Sequence, residues 1–84
     1  MTGSKKEGAM AKFRQAFDGF IIEFIDEDST AIRIRAFFDN QGINSIILPT
    51  VPRNGYNTPE NIDRSIKEIR AIFDEEYSQF LKSY

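Results

Sequence analysis

The chain has eighty-four residues with no cysteine, histidine or tryptophan, 11 Lys and Arg against 13 Asp and Glu, and a net charge of −2. The length suits one small domain, and 40% apolar residues is too many for a disordered chain. Disulfides, thiolate nucleophiles and thiolate metal sites are excluded, and the commonest general base and metal ligand is missing.

The apolar residues are stiff and bulky, with 12 Ile and 8 Phe against 2 Leu and 1 Val. Such side chains favour sheet faces and ordered cores. No secretory leader pattern occurs, and no run approaches the roughly 20 apolar residues of a membrane span. The expected setting is therefore cytoplasmic, with no membrane partner.

Residues 1–8 lack apolar periodicity and read as a mobile N-terminal arm, leaving residues 9–84 as a single α+β domain. Met10, Phe13, Phe17 and Phe20 lie on one face of a short helix over about residues 9–18, with Gly19 as its stop. Residues 20–25 read as a strand, followed by an acidic connection at Asp26, Glu27 and Asp28. Residues 30–38 alternate, with Ile32, Ile34, Ala36 and Phe38 on one face and Arg33, Arg35 and Phe37 on the other. Asp39 and Gly42 suit the first and fourth positions of a type I turn, and residues 43–48 read as a third strand.

Connections this short force antiparallel pairing. Setting Glu23 opposite Arg33 aligns Phe24 with Ile32 and Ile22 with Ile34, which is the expected register. The second hairpin has two open registers. A bulge at Gly42 turns Ile46 and Leu48 inward and is preferred; a plain four-residue loop turns Ile43 and Ile47 inward. Pro49 and Pro52 end the sheet. Thr58 suits a helix N-cap and Pro59 the first helical position, so a long helix is expected from there to the C-terminus. The predicted fold is α+β: α-β-β-β-α, a three-stranded antiparallel meander with a short N-terminal helix and a long C-terminal helix packed on one face.

The long helix carries Ile62, Ile66, Ile69, Phe73, Tyr77, Phe80 and Tyr84 on one file. Its spacing is about 3.67 residues per turn, which does not fit the 3.5 repeat of a left-handed coiled coil. At 1.5 Å per residue it spans roughly 37 Å, against about 20 Å for six-residue strands. The end that outruns the sheet is aromatic. Two readings stay open: the first helix covers it with Met10, Phe13 and Phe17, or it forms a homodimer or partner interface.

Chemistry is sparse. The acidic triplet 26–28 lacks the turn glycine and late acid of a calcium loop, so no metal is expected there. No phosphate loop, dinucleotide glycine pattern or nucleophile elbow occurs, and neither a cofactor nor an enzyme is expected. Three binding candidates remain. Arg53, Asn54 and Tyr56 lie in a loop leading to a helix N-terminus, where an anion or a partner's acidic group can sit. Arg33, Arg35 and Phe37, flanked by Ile21 and Ile25, form a cationic and aromatic strand face. Tyr77, Phe80 and Tyr84 end the long helix.

The α-β-β-β-α order resembles that of double-stranded-RNA-binding domains over residues 9–84. That family carries a Gly-Pro-x-His-like loop between its first two strands and a lysine-rich start to its last helix. This chain has Asp26, Glu27 and Asp28 at the first place and Glu60 and Asp63 at the second, charges that repel phosphate. In size and acidic character the chain is also similar to phage- and plasmid-encoded inhibitors of host machinery, including anti-CRISPR proteins. The expected function is a small non-enzymatic protein-binding module, an inhibitor or regulator of a larger host machine. The alternative is a nucleic-acid-binding domain that uses Arg33, Arg35 and Phe37 with Lys5 and Lys6. Net acidity and Glu23 on the same face rank nucleic acid behind protein as the partner.

Overall fold

Helix α1 spans Ser4–Ala16 in the computed structural model, which describes residues 4–25 and 30–83. The expected acidic turn and Tyr84 lie outside the described residues, as do residues 1–3. The helix starts well ahead of residue 9, with Gly8 inside it. Ala9 is fully buried, so the inward file is Ala9, Phe13 and Phe17, while Met10 packs only at its margin. Beyond Ala16 a turn follows, in which Phe20 N–H donates to the Phe17 carbonyl at 2.9 Å. Gly19 takes φ +92°, the left-handed conformation that glycine adopts without a Cβ penalty, and it lies in the turn after α1, which ends at Ala16 rather than at the expected residue 18.

Three short antiparallel strands follow, β1 (Ile22–Phe24), β2 (Ile34–Phe37) and β3 (Ser45–Ile47), in sheet order β1-β2-β3. The first register differs from expectation by two residues: Glu23 lies opposite Arg35, Ile22 opposite Ala36 and Phe24 opposite Ile34. A two-residue slip keeps every side chain on its own face, so alternation alone does not resolve it. The backbone ladder records the outcome: Ile25 N–H donates to the Arg33 carbonyl at 2.8 Å, continuing the observed pairing, while on the opposite side of the strand Ile32 and Val51 exchange both backbone hydrogen bonds at 2.9 and 2.7 Å.

In the second hairpin Ile46 lies opposite Ala36, and Leu48 is buried while Ile43 and Ile47 are exposed. This is the inward set of the Gly42 bulge, and Gly42 takes φ +73°. Asp39 organises the turn. Its carboxylate accepts from the backbone N–H of Gln41, Ile43 and Asn44 and from the Asn44 side-chain amide at 2.7 Å. The Asn44 amide foremost, with the backbone donors, outweighs the partial desolvation and holds the Asp39 carboxyl below its ordinary pKa.

Helix α2 spans Pro59–Lys82. Thr58 caps it, its hydroxyl accepting from Asn61 N–H at 3.1 Å, and Pro59 occupies the first turn. Both helices lie on one face of the sheet, whose inward residues Ile34, Ala36 and Leu48 join Phe13, Phe17, Ile62, Ile69 and Phe73 in one core. At 1.5 Å per residue α2 is about 36 Å long, while four-residue strands span roughly 13 Å. The molecule is accordingly 45 Å long and only 22 and 19 Å across.

Candidate functional site

Strand alternation sorts the proposed binding residues between the two faces of the sheet. Ile34 and Ala36 face the helices, so Arg33, Arg35 and Phe37 face the other way, where no described helix lies over them. The registers arrange that outer face in three rows. Ile25 N–H bonds the Arg33 carbonyl, and Arg33 Nε donates to Thr50 Oγ1 at 3.0 Å. Glu23, Arg35 and Ile47 make the middle row. Ile21, Phe37 and Ser45 make the third. Ile21 and Ile47 are 46% and 50% exposed, so the face mixes open apolar residues with guanidinium groups.

Arg35 Nη1 reaches Glu23 Oε1 at 3.2 Å with both side chains largely in solvent. Such a pair contributes at most about 1 kcal/mol to stability. It does fix where the Arg35 guanidinium sits. Ile47 and Thr50 complete this face and were not among the expected site residues. Fixing the bulged register of the second hairpin identifies Ile47; Thr50 belongs to it only through the long-range Ile32–Val51 pairing.

The loop before α2 is built differently. Arg53–Gly55 form a 3-10 turn, closed by Gly55 N–H to the Pro52 carbonyl at 2.8 Å. Its carbonyls are held by α2: Asn61 Nδ2 donates to the Asn54 carbonyl at 3.0 Å and to Asn57 Oδ1 at 2.9 Å, and Ser65 Oγ to the Gly55 carbonyl at 2.7 Å. A Cβ on Gly55 would lie 2.9 Å from Val51 Cγ1 and 3.1 Å from Ser65 Oγ, so the approach requires glycine. Tyr56 corrects the surface expectation. It is 5% exposed, its ring lies in the core, and its hydroxyl donates to the Thr30 carbonyl at 2.6 Å. Burial satisfies both ends of an amphipathic ring here. Arg53 and the Asn54 side chain remain on the surface.

The aromatic end of α2 is covered, but only partly by α1. Phe73 is fully buried and meets Phe17 at 5.2 Å and Phe20 at 4.8 Å, both edge-on. Phe20 also meets Tyr77 at 5.1 Å, and Phe38 meets Phe80 at 5.1 Å. The cover comes from Phe17 and Phe20 around the turn after α1 and from Phe38 after β2, with Phe13 buried elsewhere in the core and Met10 at its edge. Tyr77 and Phe80 stay half-buried and Leu81 is exposed. Because Phe37 and Phe38 point to opposite faces, the aromatic end and the Arg33, Arg35 and Phe37 set are not one surface.

Arg70 escaped the sequence reading altogether. Its guanidinium donates to the carbonyl of Ala16, the last residue of α1, pairs with Asp74 at 3.0 Å, and lies 5.3 to 5.6 Å from the rings of Phe17, Phe20 and Phe73. One side chain thus caps a helix and stacks on aromatics. No local spacing signals a contact with a residue 54 positions away.

Among the described residues, no three acidic side chains converge as a metal site would require, and no helix is long and apolar enough to cross a membrane. No family, curated protein or solved structure compared with the chain matches it.

Proposed function

We propose that this chain is a small non-enzymatic protein-binding domain whose contact surface is the outer face of its sheet. The observation that supports this reading is the middle of that face: Arg35 and Phe37 stand beside exposed Ile21 and Ile47 on a scaffold of backbone ladders. Arginine and aromatic residues within an apolar setting are the usual anchors of protein interfaces. Arg53 and Asn54 on the loop before α2 add polar contacts. Binding of this kind inhibits or regulates a larger machine without chemistry of its own.

The test is capture from native host extract with the Arg35→Ala, Phe37→Thr double variant. Threonine retains strand propensity. Circular dichroism should show a folded variant, and retention of the partner should fall at least about tenfold, or 1.4 kcal/mol. Undiminished capture by the folded variant removes the assignment to this face.

The same guanidinium and ring support nucleic-acid binding as a second reading. The Arg35–Glu23 pair weighs against it by neutralising one cation of the face. A single-stranded oligonucleotide should then bind at low salt with affinity falling steeply as salt rises, and no binding at low salt removes this reading.

A further inference from the structure

Between Asp39 and Arg53 the sequence carries no charged residue. β3 lies inside that stretch and at an edge of the sheet. Its ladder to β2 uses one side of the strand. Phe38 N–H donates to the Asn44 carbonyl at 2.8 Å and Leu48 N–H to the Ile34 carbonyl at 2.9 Å, with Ile46 opposite Ala36 between them. Antiparallel bonding alternates from residue to residue, so the peptide groups of Ser45 and Ile47 point away from β2. Their surroundings are apolar and open: Ile43 is 74% exposed and Ile47 50%.

Natural edge strands are protected by charge, by a bulge or by cover. The opposite edge, β1, has Glu23 at its centre, where a two-fold copy would set one carboxylate against another. β3 carries no charge, and its protecting features, the Gly42 bulge and Pro49, lie outside its two ends.

We propose that β3 is the docking edge for a second copy of this chain, joined antiparallel about a two-fold axis into one six-stranded sheet. The proposal goes beyond the partner-binding reading and does not depend on it. In the pairing centred on Ile46, Ser45 of each copy faces Ile47 of the other. The outward peptide groups of both residues then exchange hydrogen bonds, while Ile46 meets its counterpart on the helix-covered face. No charged side chain of residues 40–52 is opposed to another, because there is none. An apolar, uncharged edge is matched by its own sequence, which makes a second copy the fitting occupant rather than a charged foreign strand. The outer faces become continuous, carrying two sets of Arg33, Arg35 and Phe37. A pairing this short buries less than the roughly 1,200–2,000 Å² of stable complexes, so association is weak and concentration-dependent.

Sedimentation of the full chain should show the mass rising from one copy to two between about 10 μM and 1 mM. Over that range the amide resonances of Ser45 and Ile47 should shift and gain exchange protection, while those of Ile22 and Phe24 stay fixed. Ile47→Lys places a cation on the docking edge, and Ser45→Pro removes an outward donor that the β2 ladder does not use. Each should weaken association about tenfold or more while circular dichroism still shows a folded monomer; Ile47→Lys sets a second cation opposite Arg35, so a small loss of monomer stability accompanies it. If Ser45→Pro fails to fold, Ile47→Lys decides alone. A monomer throughout, a dimer indifferent to Ile47→Lys, or concentration-dependent shifts centred on Tyr77 and Phe80 overturns the proposal. So does growth beyond two copies, because a two-fold pairing closes on itself. A chain that stays monomeric yet takes up a foreign strand at β3 overturns it as well.

Discussion

The two ends of α2 are anchored by different forces. At its start, Thr58, Asn61 and Ser65 hold the helix and the preceding turn together through short directional hydrogen bonds. At its far half, Phe73, Tyr77 and Phe80 are held by ring packing against Phe17, Phe20 and Phe38. Hydrogen bonds fix geometry but exchange with water, so each adds only about 1 kcal/mol net. Ring burial is less directional and worth more per residue, roughly 1.5–3 kcal/mol. The capped end therefore fixes position, and the aromatic end supplies more of the stability where the helix outruns the sheet.

The sharpest break of this contrast is Phe73→Ala. Truncating a fully buried ring met by four others should cost about 3–5 kcal/mol in denaturant unfolding. A cost under about 1 kcal/mol would mean that the aromatic end is not part of the core. Arg70→Met keeps the packing stem but removes the Ala16 carbonyl's donor and the cation over three rings. It should cost about 1–3 kcal/mol, with Arg70→Lys recovering only part of the loss. At the other end Thr58→Ala removes one cap and should cost about 1 kcal/mol, with exchange accelerated in the first turn of α2 alone.

The smallest effect separates the two ends by pH. The capping groups Thr58, Asn61 and Ser65 do not titrate, whereas Asp39 anchors the turn that follows Phe38, the ring over Phe80. Its folded pKa lies below its ordinary value of 3.8. Its stabilisation is therefore complete above the ordinary carboxylate range and is lost as pH falls through the lower folded pKa. On acidification the Asn44 amide and the Phe38 and Phe80 ring resonances should respond with one apparent pKa below 3.8. Asp39→Asn should abolish that response, while the acid profile of the Asn61 amide is the same in both proteins. An Asn61 profile that changes in Asp39→Asn would show that the two ends do not loosen separately.

Elements with local causes were legible in the chain. Thr58 and Pro59 mark the start of α2, the apolar file through Phe73 marks its buried face, and Gly19 and Gly42 mark turns that need a left-handed residue. Strand alternation placed Arg33, Arg35 and Phe37 together on one face. The β1–β2 register was not legible, because faces repeat every two residues and a slip of two leaves the pattern unchanged. Tyr56 read as a surface ring because nothing near it in the chain indicates the Thr30 carbonyl that its hydroxyl meets.

The sequence by itself thus determined the α-β-β-β-α order, the two inward stripes and the aromatic character of the long helix's end, all consequences of local periodicity and turn chemistry. Tertiary structure alone decided which rings cover that end, where Arg70 anchors and how β1 is registered on β2. Those outcomes depend on residues far apart in the chain, and only packing brings them within contact distance.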